Sequence, residues 1–89
     1  MEIKKAASAG TMESSDAYVE IQPYGDGIKL QMESVVINQF GNTIENAVRQ
    51  VLSENEVSNA FVHVVDRGAL ECVLKARVET AIKRSGEEE

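Results

Sequence analysis

The chain has 89 residues, 15 of them acidic and 9 basic, for a net charge of −6, which describes one small acidic domain. At this size roughly 60–70% of the unfolded surface is buried on folding, enough for one core but not for a large enclosed pocket, and this counts against a self-sufficient enzyme. The negative surface repels phosphate backbones and anionic membranes, which counts against nucleic-acid and membrane-surface roles and favours partners with basic docking faces.

Residues 1–16 are dominated by Ala, Ser, Lys, Gly and Thr, and only Ile3 and Met12 could anchor them to a core. They read as a flexible arm. From Tyr18 the pattern alternates: Val19 and Ile21 share one face, Glu20 and Gln22 the other, which is the period of a half-buried strand. Pro23 to Gly27 ("PYGDG") supplies turn chemistry, and alternation resumes with Ile28, Leu30 and Met32. Two alternating runs around a short glycine-containing connection predict a β-hairpin.

Ile37, Phe40, Ile44, Val48 and Val51 then recur at three- and four-residue spacing, predicting a helix over residues 35–53 with Ser34 as N-cap. Gly41 costs such a helix about 1 kcal/mol relative to alanine, and Asn42 with Glu45 could instead begin a second helix. The nearly continuous apolar run from Ala60 to Val65 suits a strand that is central or covered on both faces. A last helix begins near Ala69, with Leu70, Val73, Leu74, Val78, Ala81 and Ile82 as its stripe. Glu71, Lys75, Glu79 and Lys83 alternate in sign along its solvent side, each Glu-to-Lys pair contributing a few tenths of a kcal/mol.

The order β-β-α-β-α predicts an α+β fold, a small three- or four-stranded sheet with two helices packed on one face. The lone Cys72 excludes an internal disulfide framework and fits a reducing compartment. Its place in an apolar helix suggests a small buried hydrophobe. With no apolar run near the ~20 residues of a membrane span and no signal peptide, a cytoplasmic protein is expected.

Few residues carry chemistry. His63, the only histidine, shares a strand face with Phe61 and Val65. A hydrolase would need Ser14 or Ser15 as nucleophile, His63 as base and an acid such as Asp66 to orient it, yet no Gly-x-Ser-x-Gly elbow is present. No metal site is expected, because one His and one Cys would have to be completed by carboxylates that show no ligand spacing. What remains is "ESSD", Glu13 to Asp16. Its serines and Asp16 either turn the chain before the strand or offer an exposed hydroxyl as an attachment point. The residues themselves leave both open.

The segments "AGTMESSD" (residues 9–16), "NQFGNTI" (38–44) and "DRGALECVLKAR" (66–77) together resemble the acyl carrier protein of citrate lyase, its gamma subunit. The family has these motifs in this order and at these distances, and the similarity covers nearly the whole chain. Met12 stands where the family usually has alanine. The resemblance implies a non-catalytic carrier that bears phosphoribosyl-dephospho-coenzyme A, specifically 2'-(5''-phosphoribosyl)-3'-dephospho-coenzyme A, joined by a phosphodiester to Ser14. It implies that acetyl and citryl thioesters on this group are presented to the alpha and beta subunits, which convert citrate to acetate and oxaloacetate, and that a prosthetic-group transferase is a further partner. The organisation expected is an arm over 1–16 bearing the attachment serine, an α+β carrier domain over 17–85 and an acidic tail over 86–89. Glu13 and Asp16 would be read by the transferase, through a metal ion on its activated donor. A related carrier of citramalate lyase or malonate decarboxylase shares this logic; an unmodified interaction module does not. The helix bundle of fatty-acid carriers is not expected, because the runs at 18–22 and 28–32 alternate.

Overall fold

The computed structural model describes residues 2–34 and 37–86, with only the backbone of 37–42. The expected helix start at residue 35, the side chains of Ile37 and Phe40, and residues 87–89 of the acidic tail lie outside the described residues. The elements are β1 (Ala7–Gly10), β2 (Ala17–Gln22), β3 (Ile28–Ser34), α1 (Ile37–Glu54), β4 (Ala60–Asp66) and α2 (Glu71–Gly86). They form an α+β fold as expected, with a four-stranded mixed sheet in the order β1-β2-β4-β3.

Alternation along β2 and β4 places Ala17, Val19, Ile21, Ala60, Val62 and Val64 at the core, each at most 1% exposed. The helices cover this face. Helix α1 contributes Ile44, Ala47, Val48, Val51 and Leu52, and α2 contributes Leu74, Val78, Ala81 and Ile82. Among the described residues no helix covers the other sheet face, and Tyr18, Phe61, His63 and Val65 lie half-buried on it.

The 18–22 and 28–32 runs are strands but not a hairpin. Strand β4 lies between them, antiparallel to β2 and parallel to β3. The most apolar strand thereby takes a central position, where its inward row is covered best. Strands two places apart are about 10 Å from one another, a gap the Pro23–Gly27 connection spans easily. Gly27 fixes the start of the parallel pair: its N–H donates to Asn59 Oδ1 at 2.9 Å, and its carbonyl accepts from Ala60 N at 3.0 Å.

The hairpin of this fold is β1–β2, paired from Ala7↔Ile21 to Gly10↔Tyr18. A strand therefore lies within the segment expected as an arm. Ile3 and Ala9 are buried at 5% and 4% exposure, and the N–H groups of Lys4 and Lys5 both donate to the Ser85 carbonyl. Met12 is 52% exposed and anchors nothing. Alanine, serine and glycine are weak strand formers, so β1 forms because its small residues lie close beneath α2.

Helix α1 ends in a Schellman motif. Glu56 N donates to Ser53 O and Val57 N to Leu52 O, with Glu56 at a left-handed φ of 58°. On α2 the expected ion pairs form, Glu71–Lys75 at 3.7 Å and Glu79–Lys83 at 2.9 Å.

Candidate functional site

The serine pair sits on the β1–β2 connection, residues 11–16. Gly10, at φ 95°, leads into it, and a Cβ there would overlap the Ala17 carbonyl. Thr11 N donates to that same carbonyl at 3.2 Å, closing the base of the loop. At its tip Asp16 N donates to Glu13 O at 3.2 Å, making a β-turn with Ser14 and Ser15 at its centre. Ser15 has a φ of 67°, the left-handed value that a type II turn demands at its third position.

Two other parts of the chain hold this turn. Arg67, just after β4, donates its N–H to Asp16 O at 2.9 Å and accepts from Ser15 N at 2.8 Å, which extends the β2–β4 ladder past its last strand pair. Arg67 is in turn placed by Asp66, a carboxylate only 3% exposed. Asp66 Oδ1 accepts from Gly68 N and Ala69 N at 3.2 and 2.9 Å, and Oδ2 accepts from the Ser34 hydroxyl at 2.8 Å. Asp66 is thus a folding residue at the entry to α2.

The second anchor is Arg77 of α2. Its Nε and Nη2 donate to the two oxygens of Asp16 at 3.0 and 2.9 Å. The same carboxylate accepts from Thr11 Oγ1 and from Ala17 N, both at 2.7 Å. The Arg77 guanidinium first, then the Thr11 hydroxyl and the Ala17 amide, hold the Asp16 carboxyl down at about 2, against an ordinary 3.8. Asp16 in turn raises Arg77. The motifs at 9–16 and 66–77 therefore meet in space, and Arg77, the last residue of the second, joins them. Sequence periodicity placed Arg77 only on a helix; its partner is 61 positions away.

Ser14 stands at the corner of this turn. It is exposed, and its hydroxyl is engaged by no other group among the described residues. Its exposure leaves room for a substituent on the hydroxyl oxygen.

The hydrolase arrangement is not assembled. His63 lies on the open sheet face, its Nε2 2.7 Å from Glu33 Oε2. Asp66, three positions on, points to the covered face, as alternation along a strand requires. Among the described residues, no three His, Cys, Asp or Glu side chains gather as a metal site would need. Cys72 is exposed rather than buried. It precedes Leu74 by two positions, about 200° around the helix, and so falls outside the stripe of Leu74, Val78, Ala81 and Ile82.

Comparison with known proteins bears on this arrangement. A family model described as "ACP: Malonate decarboxylase delta subunit (MdcD)" matches residues 4–85. A citrate lyase acyl carrier protein of Escherichia fergusonii is 52% identical over 89 residues, covering 99% of this chain and 92% of its own. The citrate lyase acyl carrier protein of Treponema denticola is 46% identical over 87 residues, covering 98% and 99%. A chain of a Pseudomonas malonate decarboxylase hetero-tetramer, solved in complex with malonate, shares the fold. Its TM-score is 0.75 at 20% identity, over 94% of this chain and 87% of that one.

Proposed function

The chain belongs to the family of citrate lyase acyl carrier proteins, and on that premise we propose that it is the carrier subunit of a citrate lyase complex, modified at Ser14. The observation that carries the site is the exposed turn. It leaves Ser14 exposed, its hydroxyl unengaged among the described residues, while the backbone around it is held. Ser15 is exposed as well, and the choice of Ser14 over it follows the family resemblance.

The group proposed at Ser14 is phosphoribosyl-dephospho-coenzyme A, which when bound supplies a thiol that carries acyl units as thioesters. This chain's own part is attachment and presentation. Ser14 Oγ holds the phosphodiester, and the β1–β2 turn projects it away from the sheet. The folded domain confines the tethered group near the active sites of the alpha and beta subunits, raising its effective concentration there. Glu13, exposed beside Ser14, and the overall charge of −6 favour docking on basic surfaces of those subunits. We assign the protein to the cytoplasm; among the described residues no helix is long and apolar enough to cross a membrane.

Intact-mass and peptide mass spectrometry on the protein from citrate-fermenting cells tests this reading. An adduct on the peptide containing Ser14, lost in Ser14→Ala and kept in Ser15→Ala, is expected. An unmodified chain from such cells would leave an interaction module as the better account. The family description and the fold neighbour favour, as a second reading, a malonate decarboxylase carrier. Supplying the loaded protein to purified citrate lyase or malonate decarboxylase subunits separates the two.

A further inference from the structure

We propose that Arg77 is a positioning residue for the modification of Ser14, and that the modifying transferase reacts with the turn in its clamped geometry, the Glu13-Ser14-Ser15-Asp16 sequence alone being insufficient for the full rate. The inference rests on the reading of Ser14 as the acceptor.

Three elements distant in sequence fix the turn. The hairpin supplies the Thr11 N–H to Ala17 O and the Asp16 N–H to Glu13 O; the β4–α2 connection supplies both backbone groups of Arg67; α2 supplies the guanidinium of Arg77. Thr11 stiffens the interior, donating its hydroxyl to Asp16 Oδ2 and accepting from Glu13 N at 3.2 Å. Ser15 remains in the left-handed region that a non-glycine residue avoids, which is the mark of a conformation imposed by its surroundings. Ser14 lies inside this frame with an unengaged hydroxyl. Its backbone position is set, and its side chain is available.

Asp16 takes on a different role from the one its neighbourhood to the serines suggests. A carboxylate offers roughly four lone-pair sites. Those of Asp16 receive Arg77 Nε, Arg77 Nη2, Thr11 Oγ1 and Ala17 N, which leaves none for a metal ion on an incoming donor. Its side chain is 15% exposed. Asp16 is therefore the receiver of the clamp, and of the two acids flanking the serines only Glu13 faces outward for an enzyme to read.

The reaction served is displacement at phosphorus. Ser14 Oγ attacks the α-phosphorus of a triphosphate-bearing dephospho-coenzyme A derivative. One O–P bond forms, the bond to pyrophosphate breaks with its electron pair leaving on pyrophosphate, and the hydroxyl proton passes to a base of the transferase. Such a displacement is in line, so the acceptor oxygen has to enter from one direction. Misplacement of a reacting group by about 1 Å can cost on the order of a hundredfold in rate.

The test follows modification of the full-length protein by intact mass, using the purified transferase and the triphosphate donor. The variants are Arg77→Met, Arg77→Lys, the exchange Asp16→Arg with Arg77→Asp, and Ser14→Ala; Ser15 amide hydrogen exchange reports the turn. Arg77→Met is expected to lower the modification rate constant about tenfold or more at an unchanged KM for the carrier, with faster Ser15 exchange. Arg77→Lys, which keeps the charge but not the fork, and the exchanged pair are expected to recover part of the rate. A Met variant modified at the wild-type rate despite a loosened turn overturns the inference and leaves Ser14 as acceptor. If Arg77→Met does not fold, a wild-type rate in Arg77→Lys with accelerated Ser15 exchange overturns it equally. Continued modification of Ser14→Ala overturns the acceptor assignment and the inference with it.

Discussion

Arg77 and Asp16 are 61 residues apart in sequence and meet through two parallel hydrogen bonds of 3.0 and 2.9 Å, one to each carboxylate oxygen. A planar guanidinium matched to a carboxylate in this way fixes direction as well as distance. The pair makes stability depend on pH in acid. Asp16 titrates at about 2 in the folded protein against an ordinary 3.8, so the unfolded chain takes up the proton first as pH falls. The pair's contribution is complete above about pH 4 and disappears as pH drops toward 2. Urea midpoints measured across that window should fall more steeply for the wild type than for Asp16→Asn. Equal slopes would show that the pair is not formed in solution.

Gly10 offers a second test. An added methyl would meet the Ala17 carbonyl, and the φ of 95° is strained for any L side chain. Gly10→Ala should lose about 1–3 kcal/mol, read from denaturant unfolding, and its β1–β2 amides should lose protection. Full protection of Tyr18 and Val19 in the variant would contradict the close approach of β1 and β2.

The core is tested at Ile82, which is completely buried. Ile82→Ala should cost about 2–5 kcal/mol, a large share of the about 5–15 kcal/mol typical of a folded domain. Ile28→Ala, at a half-buried position on an edge strand, should cost distinctly less. Equal losses in thermal or urea unfolding would mean that the covered face of the sheet is not where the packing lies.

Exposure of Cys72 makes a chemical prediction. A disulfide reagent should label it in the native protein at a rate close to that in denaturant, without unfolding. Protection by an order of magnitude or more would return it to the interior.

Strands β2 and β4, the C-terminal half of α1 and the stripe of α2 were legible because their apolar residues repeat at two or at three and four positions, and burial follows that repeat. Strand β1 was not, since Ala7, Ser8, Ala9 and Gly10 carry no strand preference of their own and are ordered by what lies above and beside them. The pairing order was also hidden. Alternation in Val19 and Ile21 says which face is buried but not which strand is adjacent, and β4 enters between β2 and β3 from about forty positions away. At the candidate site the serine pair and the segment at 66–77 were visible as motifs. Their contact through Arg67, and the clamp from Arg77 to Asp16, belong to the three-dimensional arrangement alone. Cys72 was misplaced because the apolar stripe was taken to run from Leu70, whereas Leu70 precedes α2 and is 71% exposed and Cys72 lies about 200° from Leu74 on the helix itself.

The clamp also imposes an order in time. Asp16 is synthesised 61 residues before Arg77, which at ribosomal speeds of roughly 5–20 residues per second is an interval of about 3–12 s. Throughout that interval the nascent chain carries its serines on an unclamped loop, because the helix that holds the turn has not been made. On the proposed role of Arg77, loading would therefore favour the chain that has already made α2, and a truncated translation product that stops before it would be modified more slowly.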